Sequence, residues 1–337
     1  VPNVDANGLR TAGYRWDPTG SLSEGPLDIV GDLHGEIEAL ERLLVRLGYS
    51  ETGAHPQCRR LVLLGDLIDR GPDSLAVVRR VADLIERGRA LAIMGNHDLN
   101  AVAERRKKEN TWLFGHGPVH PWERPVRNDS ERREVLDFLR RLPLGLERPG
   151  LRVVHAYWDD EAMAALRGEP GPAEALESHR RRVLQSLSEG IDRKERSLAL
   201  QNRNPVKLIT SGPEVRAPAD FFAGGQMRSE ARHPWWEEYD GDPWIVFGHY
   251  WRIAVTGIQK DDGLLSRYPL HSPLGKGRAM CIDYSVGGRW FDRSQGRSAG
   301  PFSGRLAALR WPERELVFDD GERIAMTEPV SAEVAGL

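Results

Sequence analysis

Three short apolar runs constrain this chain more than any other feature: Leu27-Asp28-Ile29-Val30, Leu61-Val62-Leu63-Leu64 and Ala90-Leu91-Ala92-Ile93-Met94. Between them lie two stretches of helical period, Ile37, Leu40, Leu43, Leu44 and Leu47, then Leu75, Val78, Val81, Ala82 and Ile85. Continuous apolar runs suit strands buried on both faces, and amphipathic crossovers between them make a β-α-β-α-β unit with parallel strands. Each run ends in a polar cluster: Gly31-Asp32-Leu33-His34-Gly35, Gly65-Asp66-Leu67-Ile68-Asp69-Arg70-Gly71 and Gly95-Asn96-His97-Asp98. Ligands of open α/β sheets bind beyond the carboxyl ends of the strands, so the clusters are expected to converge on one rim.

Around this unit the pattern changes. Residues 1–26 are polar, rich in Gly, Pro and Ser and without period, which predicts an arm with order beginning at Leu27. Residues 100–147 and 159–240 are rich in Arg, Glu and Pro, with helical stretches at Glu131–Leu142 and Ala173–Leu187 and one strand-like run between them, Leu151–His155. They read as insertions forming a helical cap on a domain of residues 27–337. Strand character returns at Trp244–Phe247, 253–256, Met280–Asp283 and Arg305–Arg310. The expected fold is a mixed α/β sandwich interrupted by a cap, with no internal repeat.

Composition narrows the partners. At 337 residues and 40% hydrophobic, the chain can bury a full core in one or two domains. Lys and Arg number 47 against 50 Asp and Glu, with no block of like charge, so no generic nucleic-acid surface is expected and an anionic substrate must be held locally. Cys58 and Cys281 stand far apart in no Cys-x-x-Cys pattern, which suggests neither a disulfide framework nor a cysteine zinc site and makes a reducing cytoplasm the expected compartment. No apolar run reaches 18 residues, so no membrane span is expected. The start at Val1 lacks the regions of a signal peptide and reads as processed or renumbered.

A single Gly-Asp is ordinarily a strand-exit turn whose Asp caps the next helix. Three in succession, carrying His34, His97, Asn96 and Arg70, point instead to one shared site. Two further strand ends, Val153-Val154-His155 and Val246-Phe247-Gly248-His249, add histidines. Carboxylate, imidazole and amide oxygen together suit manganese, iron or zinc. Their number leaves room for two ions, and one Asp can bridge a pair about 3.5–4 Å apart, the arrangement used for in-line displacement at phosphorus.

In this order the motifs resemble the calcineurin-like metallophosphoesterases. The intact Gly65-Asp66-x-x-Asp69-Arg70-Gly71 is similar to the phosphoprotein-phosphatase branch, whose bacterial relatives include symmetrical dinucleoside tetraphosphatases. Asp98 stands where the family usually has Glu, and touches no expected ligand. Asn204-Pro205-Val206-Lys207, Gly212-Pro213-Glu214, Trp235-Trp236, Gly248-His249-Tyr250-Trp251 and Cys281-Ile282-Asp283-Tyr284-Ser285 resemble a group of bacterial members.

The resemblance implies a four-layer α/β/β/α sandwich of two mixed sheets and two divalent ions, manganese being expected, with iron or zinc as alternatives. Asp32 and His34 would hold the first ion, Asp66 would bridge, and Asn96, His155 and His249 would hold the second. A hydroxide shared by the ions would attack phosphorus, Arg70 would clamp phosphate oxygens with Asn96, and His97, oriented by Asp69, would protonate the leaving oxygen. The family commonly adds a second Arg, for which Arg228 and Arg232 are candidates, with Arg252 behind them. Trp235 and Trp236 read as cap core rather than a base-stacking surface, and His116, His120, His179, His233 and His271 as non-ligands. The expected activity is hydrolysis of phosphomonoesters, broad or phosphoprotein-type. Symmetrical dinucleoside polyphosphate hydrolysis is the alternative, and a non-catalytic metal- or partner-binding module the rival from another class. Asp69, Arg70 and His97 argue against that module, which needs neither an acid dyad nor a phosphate clamp.

Overall fold

In the computed structural model, which describes residues 15–223, 226–252, 264–297 and 299–328, the chain enters through a short strand, β1 (Thr19–Ser21). The three apolar runs follow as β2 (Leu27–Val30), β3 (Arg60–Leu63) and β4 (Ala90–Ala92), joined by α1 (Ile37–Leu47) and α2 (Ser74–Glu86). They pair in parallel, Leu27 to Val30 against Arg60 to Leu63, and Leu61 to Leu63 against Ala90 to Ala92. Helix α1 buries Ala39, Leu40, Leu43, Leu44 and Leu47 as one stripe and ends where Gly48, at φ 95°, turns its N–H back to the carbonyls of Leu44 and Val45. Helix α2 is capped by Asp73, whose side chain accepts the N–H of Ala76.

The chain continues through α3 (Asn96–Val102), α4 (Thr111–Phe114) and α5 (Asp129–Leu139) to β5 (Gly145–Arg148) and β6 (Leu151–Val154). Four helices then follow: α6 (Asp160–Ala165), α7 (Pro172–Gln185), α8 (Arg193–Asn202) and α9 (Pro205–Ser211). A hairpin of β7 (Glu214–Ala223) and β8 (Gln226–Arg232) leads to β9 (Trp244–Phe247), β10 (Ala279–Cys281) and α10 (Arg289–Ser294). The described chain closes with β11 (Ala307–Trp311), β12 (Glu315–Phe318) and β13 (Arg323–Ala325).

Two mixed sheets result, one in the order β1-β5-β6-β9-β10 and the other β13-β12-β11-β2-β3-β4. Between them, Leu27, Ile29, Val62 and Leu64 meet Leu146, Val153, Val246 and Met280 in an inner core. The alternate residues of the same strands, Val30, Leu61 and Leu63, and Val154, Ile245 and Phe247, join a second core with helix residues such as Leu40, Val78, Met163 and Ile209. Strands buried on both faces explain why their sequences are continuously apolar. The α/β/β/α sandwich is as expected.

Three expectations about the chain's organisation need correction. The arm begins folding before Leu27: Trp16 is 1% exposed, its indole N–H donates to the carbonyl of Leu142 at 3.0 Å, and Thr19–Ser21 pairs in parallel with Gly145–Glu147. Residues 100–147 are not a cap, because α5 packs on α2 and α3 with Val135 and Leu139 buried, and β5 belongs to a central sheet. Residues 159–240, expected as a helical cap, carry a β-hairpin beside their helices, which the charged residues around Pro218 concealed. The strand expected at 253–256 lies outside the described residues.

Candidate metal centre and active site

Each candidate side chain leaves the end of a strand. Asp32 and His34 follow β2, Asp66, Asp69 and Arg70 follow β3, Asn96 and His97 open α3 after β4, His155 follows β6 and His249 follows β9. The loops after β3 and β4 touch backbone to backbone. A Cβ on Gly95 would stand 2.3 Å from the Asp66 nitrogen, and one on Gly65 would stand 2.4 Å from the Gly95 nitrogen, so glycine is required at both. Buried Asp98 braces the same two loops, accepting the Leu67 N–H at 3.0 Å and the Gly95 N–H at 2.9 Å; burial, then the charge of Asp66, pushes it up to about 7. Five non-glycine residues of the site, His34 (φ 46°), Asp66 (46°), Asp69 (74°), Arg70 (72°) and His249 (63°), hold left-handed backbone. Such angles persist where the surroundings over-determine them.

The donor atoms form two groups that share Asp66. One oxygen of Asp66, Oδ2, lies 3.6 Å from His34 Nε2 and 3.5 Å from His155 Nε2, while Oδ1 accepts the His97 N–H at 2.8 Å. Ligand atoms of His34, Asp66 and His97 fall within 4.8 Å of one another, as do those of Asp66, His155 and His249. Asn96 Oδ1 lies 2.7 Å from His249 Nδ1 and 3.2 Å from His155 Nε2. Asp32 sits against the second group, its carboxylate accepting the His249 N–H at 3.2 Å. His155 Nδ1 donates to the Leu64 carbonyl at 2.7 Å and His34 Nδ1 to that of Ile68 at 3.3 Å, which turns both Nε2 atoms inward.

The electrostatics suit cations. Burial, then the neighbouring Asp283, holds the Asp32 carboxyl well above its ordinary range. Burial alone would depress His155, yet Asp66 and Asp32 hold it up at about 10. A buried centre with this excess of negative charge and these donor types fits two divalent ions.

Beside the donors, the Arg70 guanidinium points one N–H to His34 Nε2 and another to His97 Nε2, each at 3.0 Å. His97 Nδ1 donates to Asp69 Oδ2 at 2.7 Å, and the other Asp69 oxygen accepts the indole N–H of buried Trp112 at 2.8 Å. Burial and Arg70 push His97 down, but Asp66 and the bond to Asp69 outweigh them and raise it.

The cap arginines separate. Arg232 donates to the His249 carbonyl at 3.2 Å and lies over the Tyr250 ring at 5.1 Å, so it reaches the centre. Arg228 is exposed on β8. Arg252 is 2% exposed and spends its guanidinium on the carbonyls of Pro269, Leu270 and Ser272, which removes it from phosphate binding. Trp235 and Trp236 are buried, as cap core should be. The five histidines set aside all lie outside the two donor groups.

Several site residues escaped the sequence. Trp112 is one. Asp283, buried with Oδ2 lacking a hydrogen-bond partner among the described residues, is another, and its place just past β10 is the strand-end signal that marked the other ligands. Gly287 backs the centre: a Cβ there would stand 2.5 Å from His34 Cδ2 and 2.9 Å from Arg70 Nη1.

Shared-carboxylate donor groups at the rim of an α/β/β/α sandwich, beside an arginine and a His–Asp pair, define a metallophosphoesterase. The sequence profile of the calcineurin-like phosphoesterases matches residues 25–251, and the chain belongs to that family, a family of hydrolases. It is 41% identical to an asymmetrical bis(5'-nucleosyl)-tetraphosphatase of Anoxybacillus flavithermus, over 86% of this chain and 92% of that protein. A symmetrical bis(5'-nucleosyl)-tetraphosphatase of Chromohalobacter salexigens is 32% identical, over 66% of this chain and 81% of that protein. The fold is shared with a cold-active protein-tyrosine phosphatase of a psychrophilic Shewanella, at TM-score 0.50 and 14% identity, covering 93% of this chain and 83% of that one. Among the described residues, no helix is long and apolar enough to cross a membrane.

Proposed function

We propose that this chain hydrolyses dinucleoside polyphosphates, with Asp32, His34, Asp66, Asn96, His155 and His249 holding two divalent ions. The observation that carries the hydrolytic reading is Asp66, whose Oδ2 stands between His34 and His155 as a bridging carboxylate would. Bound there, the cations would lower the proton affinity of water and neutralise phosphate oxygens. Arg70 binds two oxygens of the transferred phosphoryl group with its planar fork, and Asn96 and Arg232 bound the same space. His97, once protonated at Nε2 in place of the bond it accepts there from Arg70, would give that proton to the departing oxygen, while Asp69 fixes the tautomer by accepting the Nδ1 N–H.

The substrate assignment is supported by relatives of nearly full length that are named tetraphosphatases. Phosphomonoester hydrolysis is the second reading, favoured by the compact clamp of Arg70 and His97, which needs only one phosphoryl group. A screen with added manganese decides between them. Higher kcat/KM on dinucleoside tetraphosphate than on phosphoserine peptides and p-nitrophenyl phosphate supports the first reading, and the reverse order supports the second. No turnover on any of the three returns the chain to the non-catalytic class.

A further inference from the structure

The geometry points to a nucleobase platform beside Arg70, built from His120, Trp122, Trp251 and Trp290; this rests on the dinucleotide reading above. Tryptophan buries a large area wherever it can pack. Of the ten in this chain, six are buried, and of the four that are not, Trp122 and Trp251 contact Arg70 while Trp290 meets His120, the ring stacked on Trp122. They come from three separate segments: the loop before α5, the residue two past His249, and α10. Trp122 donates its indole N–H to the Arg70 carbonyl at 3.2 Å, and the Trp251 ring lies 5.2 Å from the Arg70 guanidinium. His120 stacks on Trp122 at 4.7 Å with the rings 14° from parallel, and Trp290 meets His120 edge-on at 5.3 Å.

The platform is tied to the phosphate clamp. Arg124 N–H donates to the Pro72 carbonyl at 2.8 Å and its guanidinium to Asp73 at 2.9 Å, so the loop bearing the rings is pinned along the backbone that carries Arg70. Buried Glu123 closes the turn below them, donating its N–H to the His120 carbonyl at 3.0 Å and accepting the His120 N–H at 3.3 Å. Half-exposed flat rings at a fixed offset from a phosphate clamp recognise a ligand that carries a flat ring at a fixed offset from phosphate. A nucleoside polyphosphate is such a ligand, and stacking accepts any base because every base has a π-face. A phosphoserine has no flat group. A phosphotyrosine ring is joined directly to the reacting phosphate, whereas Trp122 touches the main chain of Arg70, an arginine's length behind the guanidinium that faces the centre.

The test compares kcat/KM on diadenosine tetraphosphate with that on inorganic tripolyphosphate, which has the anhydrides and no base. Trp122→Ala is expected to lower the ratio of the two roughly 5- to 100-fold, the range of base-on-ring stacking. Trp122→Phe, which keeps a ring and loses the N–H to Arg70, is expected to restore most of it. Adenosine diphosphate should quench tryptophan fluorescence in the wild type, and pyrophosphate should not. An equal loss on both substrates would make Trp122 a prop for Arg70 and overturn the platform. A larger loss on a phosphotyrosine peptide than on the dinucleotide would give the rings to a protein substrate and overturn it also. Absence of all metal-dependent turnover in the wild type would defeat the hydrolytic reading, and the quenching comparison would still decide the platform.

Discussion

Trp112 donates its indole N–H to one oxygen of Asp69 at 2.8 Å, which leaves the other oxygen to hold His97. The imidazole is therefore oriented through two links, from a buried ring to a carboxylate to the acid. His97→Asn is expected to lower kcat about 10²- to 10⁴-fold on a substrate with a poor leaving group, the usual scale of acid–base catalysis. On p-nitrophenyl phosphate, whose leaving group is a stable anion, the defect should shrink. Asp69→Asn and Trp112→Phe should show the same dependence more weakly. Metal content must be measured in each variant, and equal losses on both leaving groups with metals intact would refute the acid role.

Asp66 serves both donor groups through one oxygen. The wild type is expected to bind about two divalent ions per chain and Asp66→Asn to weaken both. Elemental analysis with calorimetric titration checks this. One tight site in the wild type, or loss of a single ion in the variant, would contradict the shared-carboxylate arrangement.

Gly287 has no room for a side chain without moving His34 and Arg70. Gly287→Ala should keep the fold, since the crowding falls on side chains rather than backbone, and lower kcat/KM by up to about 10²-fold, the scale of a 1 Å misplacement. Circular dichroism and turnover measured together make the comparison. Wild-type turnover would mean that both side chains yield freely.

Glu123 provides a pH signature away from the metal ligands. Burial, aided by Asp69 and Glu109 and opposed by the His120 N–H, pushes its carboxyl from the ordinary 4.5 up to about 7. Because the folded state holds the proton more tightly, the stabilisation is complete below about 4.5 and is lost as pH rises through about 7. Glu123→Gln should therefore melt above the wild type at pH 8 and lose that advantage toward pH 5. Thermal denaturation at both values measures it, and a gap independent of pH would show that Glu123 is not the titrating group.

The parallel unit was legible because β2, β3 and β4 are buried on both faces and must be apolar throughout, and because each hands its ligands to the loop beyond it. His155 and His249 obeyed the same rule. Asp283 obeyed it too, and was passed over because the resemblance assigned it no role. What stayed hidden has weak local patterning. β1 is Thr-Gly-Ser and takes its pairing entirely from β5; Trp16 is a single buried ring with no periodic neighbours. β7 alternates Val215, Ala217, Ala219 and Phe221, but Pro218 and the charged Arg216, Asp220, Arg228 and Glu230 obscure the hairpin it makes with β8. Trp112 and the rings around Arg70 come from segments distant in sequence, so only the folded loops could bring them to Asp69 and to the clamp.

Left-handed backbone at His34, Asp66, Asp69, Arg70 and His249 has a consequence for engineering. Each such residue costs on the order of 1 kcal/mol relative to relaxed backbone, and all five belong to the centre. A search for heat-resistant variants that scores melting alone will find its gains here, by easing the turns that present these side chains. Thermostable forms of this enzyme should be selected for turnover at every round, or the catalyst will be the first thing discarded.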